Sequence, residues 1–77
     1  MNKPRRKKLE QAMSLLQDAM AIIEEVRDEE QEAFDNLPES FQYTERGEQM
    51  EEYISILEEY MDSISDMVEG IEEITIG

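Results

Sequence analysis

Residues 48–74 read EQMEEYISILEEYMDSISDMVEGIEEI, and the spacing of their apolar side chains decides the fold. With Met50 as heptad position a, the a positions are Met50, Leu57, Ile64 and Ile71, and the d positions are Tyr53, Tyr60, Met67 and Ile74. Position e adds Ile54, Met61 and Val68. Every acid of the stretch falls on b, c or f: Glu48, Glu51, Glu52, Glu58, Glu59, Asp62, Asp66, Glu69, Glu72 and Glu73. Ser55 and Ser65 fill the other two outer positions. Apolar residues recurring every three and four positions specify an amphipathic α-helix with one apolar and one anionic side.

Working back from this helix, residues 5–35 predict a second one with a looser pattern. Its a positions are Leu9, Leu16, Ile23 and Glu30, and its d positions are Ala12, Ala19, Val26 and Ala33. Met13, Met20 and Phe34 fall on e, Leu15 and Ile22 on g. Pro4 suits a first helical turn, where its missing N–H loses no bond.

The connection, residues 36–44, contains Pro38, which disfavours helical geometry at Leu37 and breaks the chain into two helices. Asn36 is suited to a left-handed C-terminal cap. Pro38 to Gln42 can form one short helical turn. Thr44 is expected to N-cap a helix over 45–75, with Glu45 and Glu48 near its positive end. Leu37, Phe41 and Tyr43 are expected to fold back over the turn. Folding there pairs Leu9 with Ile71, Leu16 with Ile64, Ile23 with Leu57, Ala19 with Tyr60, Val26 with Tyr53, Ala12 with Met67 or Val68, and Ala33 with Gly47. Small against large is the match an antiparallel two-helix hairpin needs. One seam cannot bury stripes this wide, so Leu15, Ile22, Ile54, Ile56, Met61 and Val68 would stay partly exposed. The expected assembly is a homodimer forming a four-helix bundle.

Charge is divided as sharply as hydropathy. The 77 residues hold 21 acids and 7 bases, a formal charge of −14. Lys3, Arg5, Arg6, Lys7 and Lys8 give residues 1–8 a charge of +5; Arg27 and Arg46 against all 21 acids leave −19 on the rest. The balance argues against a protein that coats nucleic acid through its phosphates. Absence of cysteine removes disulfides and thiolate metal sites, and absence of histidine removes the usual general base and the commonest metal ligand. The segment after the cations, LEQAMSLLQDAMAIIEE, is too polar for a signal-peptide core, and no apolar run approaches the ~20 residues of a membrane span. A cytoplasmic, non-enzymatic chain without cofactor, metal or membrane association is expected.

Glu24/Asp28 and Glu58/Asp62 resemble acid–base pairs, but a catalytic pair needs a pocket that drives its two pKa values apart, and these sit on hydrated faces. Glu30, the one acid at a predicted core position, either ends the close packing or pairs with Arg27 or Arg46. Met13, Met20, Met50, Met61 and Met67 read as core before they read as an adaptable binding groove. Tyr53 and Tyr60 need partners or water for their hydroxyls at the seam edge. Residues 1–8 form a basic tail. It either touches nucleic acid, anionic lipid or an acidic partner, or lies beside Glu69, Glu72 and Glu73.

The acidic rows carry the strongest functional signal. Carboxylates repeat at i, i+3 and i+4 with no interleaved cation, although like charges at that spacing weaken a helix by a few tenths of a kcal/mol per pair. A rigid rod lined this way presents negative charge where phosphates would sit in a basic groove. The first hypothesis is therefore an acidic protein-binding module acting as a DNA mimic, an inhibitor of a nucleic-acid-binding protein with a basic surface. Its expected contacts are Glu48, Glu51, Glu52, Glu58, Glu59, Asp62, Asp66 and Glu69. The second hypothesis is a homodimeric assembly adaptor whose apolar stripe meets the partner while the acids merely hydrate.

Asp35-Asn36-Leu37-Pro38-Glu39-Ser40, Gln42 and Thr44-Glu45-Arg46-Gly47-Glu48 resemble a pattern shared by small acidic helical proteins of bacteriophages and integrative mobile elements. The resemblance spans roughly residues 9–74 and brings no assigned activity. It implies a mobile-element origin, where small inhibitors of host defence or nucleic-acid enzymes are common, and it singles out Glu45 and Arg46 if the pattern serves more than the turn.

Overall fold

The computed structural model describes residues 1–76. Three helices follow in chain order: α1 (Lys3–Asp35), α2 (Glu39–Gln42) and α3 (Glu45–Ile76). The chain is all-α among the described residues. α1 and α3 pack together as a long extended pair, 58 Å long and 14 by 13 Å across between Cα atoms.

α1 starts earlier than its hydropathy predicts. Asn2 is extended, and its Oδ1 accepts a hydrogen bond from the Arg5 N–H at 3.0 Å. With Pro4 in the first turn, this cap carries the helix back to Lys3. The cationic stretch expected as a tail is thus mostly helical. Arg6 is half-buried, with its Nε shut from water and without a hydrogen-bond partner. Asn2→Ala is expected to lower stability by about 1 kcal/mol. Chemical denaturation would measure that loss, and faster amide exchange at Arg5 would locate it.

α1 ends differently from the sequence expectation as well. Asn36 stays right-handed (φ −83°, ψ −8°) and donates its N–H to the Glu32 carbonyl at 3.0 Å. Leu37 N–H then reaches the Phe34 carbonyl at 3.1 Å. This tightened last turn leaves a left-handed cap without a role. The short turn expected after Pro38 is present as α2. Gln42 Nε2 ties it to α1 by donating to the carbonyls of Phe34 (3.3 Å) and Leu37 (3.2 Å). The Thr44 hydroxyl donates to the Phe41 carbonyl, so its side chain does not cap α3 as expected; its carbonyl accepts from Glu48 N–H at 3.0 Å. Leu37 is half-buried, but Phe41 and Tyr43 are 55% and 76% exposed and do not fold over the end.

The seam runs along a and e rather than a and d. On α1 less exposed residues step by three and four from Arg6 through Leu9, Met13, Leu16, Met20, Ile23, Arg27 and Glu30 to Phe34, and Ala12 at d, as expected, and Gln31 are half-buried beside them. On α3 they run from Gly47 through Met50, Ile54, Leu57, Met61, Ile64, Val68 and Ile71 to Thr75. Met50 (8% exposed) and Ile54 (6%) are the buried apolar side chains. Ala19, Val26, Ala33, Tyr53, Tyr60, Met67 and Ile74, expected at the seam, are exposed. The reason is volume: Met13, Met20 and Phe34 at e bury more apolar surface than the alanines at d. On α3, choosing e over d leaves both tyrosine hydroxyls in water.

Gly47 is buried, while Ala33, expected to face it, is exposed. A Cβ there would lie 2.2 Å from the Gln42 carbonyl oxygen. The glycine admits the backbone of α2 beside the first turn of α3.

Candidate functional interface

Helical rotation of about 100° per residue sorts what lies beside the a/e seam. Positions b and f flank it on one side, d and g on the other, and c points away. On α3 the first flank carries Glu48, Glu51, Glu58, Asp62, Glu69 and Glu72, while Glu45, Glu52, Glu59, Asp66 and Glu73 occupy the outer edge. All eleven are exposed. On α1 the corresponding flank carries Glu10, Glu24, Asp28 and Asp35, and the outer edge carries Asp18, Glu25 and Glu32.

Neutralisation within the chain is slight. The ion pairs among the described residues are Arg27 with Asp28 at 2.8 Å and with Glu24 at 4.0 Å, all on α1. The carboxylates of α3 have no cation against them among the described residues. Glu24 and Asp28 are therefore a pair shared by one guanidinium in the open, not an acid and a base separated by a pocket. They line a shallow groove with Glu25, Glu29 and Glu32. Glu30 pairs with neither arginine and sits half-buried beside Val26, Tyr53, Ile56 and Leu57.

The other flank is mainly apolar, with Arg5, Lys8, Glu29, Arg46, Gln49 and Ser63 as its polar members. Leu15 and Ile22 of α1 are 61% and 62% exposed, and Tyr53, Tyr60, Met67 and Ile74 of α3 lie open as well. Of the residues expected to stay partly exposed, Leu15 and Ile22 are exposed and Ile56, Met61 and Val68 half-buried, whereas Ile54 is buried. Of the six methionines, Met13, Met20, Met50 and Met61 line the seam, and Met67 joins the exposed row. Val26, Tyr53 and Ile56 border one shallow cleft, so the apolar rows of the two helices adjoin.

The expected contact residues thus fall into three groups. Glu48, Glu51, Glu58, Asp62 and Glu69 share one flank; Glu45, Glu52, Glu59 and Asp66 share the adjoining edge; Arg46, at a d position, belongs to the apolar flank. No segment of the described residues is long and apolar enough to cross a membrane as a helix. In comparisons with protein families, curated proteins and solved structures, the chain matches none.

Proposed function

We propose that this chain is an anionic binding module whose carboxylate-bearing side occupies a basic, nucleic-acid-binding groove of a protein partner. The observation that carries this reading is the row of eleven exposed α3 carboxylates, none with a cation against it among the described residues. The 21 carboxylates along a 58 Å body average one per about 2.8 Å. Duplex DNA carries one charge per ~1.7 Å and a single strand one per ~3.4 Å; by carboxylates alone the rod falls between them, and its net charge of −14 over 58 Å, one per about 4.1 Å, is nearer the single strand. A mobile-element origin, as the loop resemblance implies, suits an inhibitor of a host nucleic-acid-binding or defence protein.

In this reading the long helices run antiparallel as a hairpin. Connection length supports it: residues 36–44 reach at most roughly 35 Å fully extended, less than the ~48 Å of either long helix, so they are too short to return the chain for a parallel pair. Charge supports it too. α1 begins with cations and α3 ends among Glu69, Glu72 and Glu73, each unfavourable for its own helix dipole, and antiparallel packing sets the two side by side. Two such hairpins join through the exposed apolar flank into a four-helix bundle, leaving the acidic flanks outward. That apolar flank also favours the second reading, a dimeric assembly adaptor.

An affinity capture from the native host, washed at two salt concentrations, separates the readings. For a mimic, partner recovery is expected to collapse between about 0.1 M and 1 M salt, where the screening length falls from ~10 to ~3 Å. Recovery that persists at the higher salt overturns the mimic and supports the adaptor.

A further inference from the structure

The apolar flank faces a second copy of this chain, and the charge along the rod fixes how that copy is oriented. We propose a two-fold dimer in which the rods lie antiparallel, the cationic end of each over the acidic turn of the other. The inference rests on the hairpin and dimer of the preceding reading and adds the face and the direction.

Equivalent seam positions put the exposed d and g rows of both helices on one broad side of an antiparallel pair, as the cleft shared by Val26, Tyr53 and Ile56 requires. Two helices ~10 Å wide over a 58 Å body give that side roughly 1,000 Å², above the ~800 Å² per partner of a stable interface.

Two symmetric arrangements satisfy this face. In one the turns lie together; in the other they lie at opposite ends. Both give each helix antiparallel neighbours, so helix packing does not discriminate. Charge does. Residues 20–60, the turn half of the rod, hold 14 acids and two arginines, a charge of −12; the terminal segments hold seven acids and five cations, a charge of −2. Turns together would set −12 against −12. Opposed turns set −12 against −2 at both ends; because most of these carboxylates stand on b, c and f, away from the shared face, the preference is strongest at low ionic strength, where the screening length exceeds ~10 Å.

Registration on the face agrees. With the two-fold axis beside Ala19, the midpoint of α1, Leu15 meets Ile22 of the other copy, and Lys8 meets Glu29 of the other copy. Lys8 and Glu29 occupy g positions at opposite ends of α1, on a flank that also carries Arg5 of α1 and Arg46 of α3 at d positions. Arrangement with turns together leaves them at opposite ends of the assembly.

Ser40→Cys tests this directly. The site is exposed on α2, and the chain has no other cysteine, so a spin label attaches at one position per copy. Pulsed electron–electron resonance is expected to give an inter-label distance close to the 58 Å length of the body. A distance under half that length overturns the proposed direction while leaving the dimer standing. Absence of dipolar modulation, with a monomer in sedimentation at the same concentration, overturns the dimer and the orientation with it. Lys8→Glu is expected to weaken association at least tenfold and Lys8→Glu with Glu29→Lys to restore it. Failure of the double variant to recover counts against the registration, with helix content by circular dichroism checked for each.

Discussion

Replacing Gly47 with alanine is expected to destabilise the fold by about 2 kcal/mol, despite alanine being the better helix former. An alanine at a helical position gains about 1 kcal/mol over glycine where there is room. At Gly47 there is none: the new Cβ would lie 2.2 Å from the Gln42 carbonyl oxygen and 2.6 Å from its carbon. These are backbone atoms, so no rotamer change relieves the overlap. α2 must move away from α3, or the first turn of α3 must open. Displacing α2 also weakens the two hydrogen bonds by which Gln42 holds the end of α1. Overpacking of this kind typically costs 1–3 kcal/mol, and the lost bonds contribute about 1 kcal/mol more, which together outweigh the propensity gain.

Gly70→Ala provides the contrast. A Cβ there meets nothing within 4 Å, and the position lies inside α3. Stability should rise by up to about 1 kcal/mol, through helix propensity and a less flexible unfolded chain. The two substitutions are chemically identical, so opposite signs in thermal melts at one fixed protein concentration would isolate the packing at Gln42. A Gly47→Ala variant as stable as Gly70→Ala would remove the close approach of α2 as the reason for the glycine.

The same glycine marks where local sequence signals stop and tertiary packing takes over. Pro38 and the apolar periodicity placed the break and both long helices to within two residues, because a missing N–H and a 3.6-residue period act locally. Rotation of the helices about their axes is another matter. Positions a, d and e are all apolar on α3, so two neighbouring stripes satisfy the same pattern, and only side-chain volume on the facing helix selects one. The exposed alanines at 19 and 33 against Met20 and Phe34 carry that information. It becomes decisive only when both helices are compared together. At Gly47 the sequence points to a close approach of α1 through Ala33, whereas the atoms nearest a Cβ there are backbone atoms of Gln42 in α2, which no heptad pairing of the long helices can show. The acidic rows needed no such comparison: hydration of a carboxylate is strong enough that the linear pattern alone put them outside. What the pattern did not separate was flank from edge, which follows from the seam and so inherits its rotation.

That distinction shapes the second large effect. Reversing Glu58, Glu59, Asp62 and Asp66 to lysine is expected to abolish binding to a basic partner while leaving the fold nearly unchanged. Each residue is exposed, and none is in an ion pair among the described residues. Reversing all four together also preserves the sign relation between Glu58 and Asp62 and between Asp62 and Asp66. The mutual repulsion at i, i+4 is therefore retained rather than relieved, and helix stability should change by only a few tenths of a kcal/mol. The formal charge moves from −14 to −6, because each reversal adds two positive charges. For a groove built to hold phosphates, four attractions become four repulsions, and like charges juxtaposed across an interface cost several kcal/mol. Loss of affinity by at least a hundredfold, with an unchanged melting temperature, is the expected result. Dimerisation should survive, because Glu58 and Asp62 stand on the flank opposite the apolar rows and Glu59 and Asp66 on the outer edge. A quadruple variant that still captures its partner would show that the acids only hydrate the rod, and that the apolar side carries the interaction.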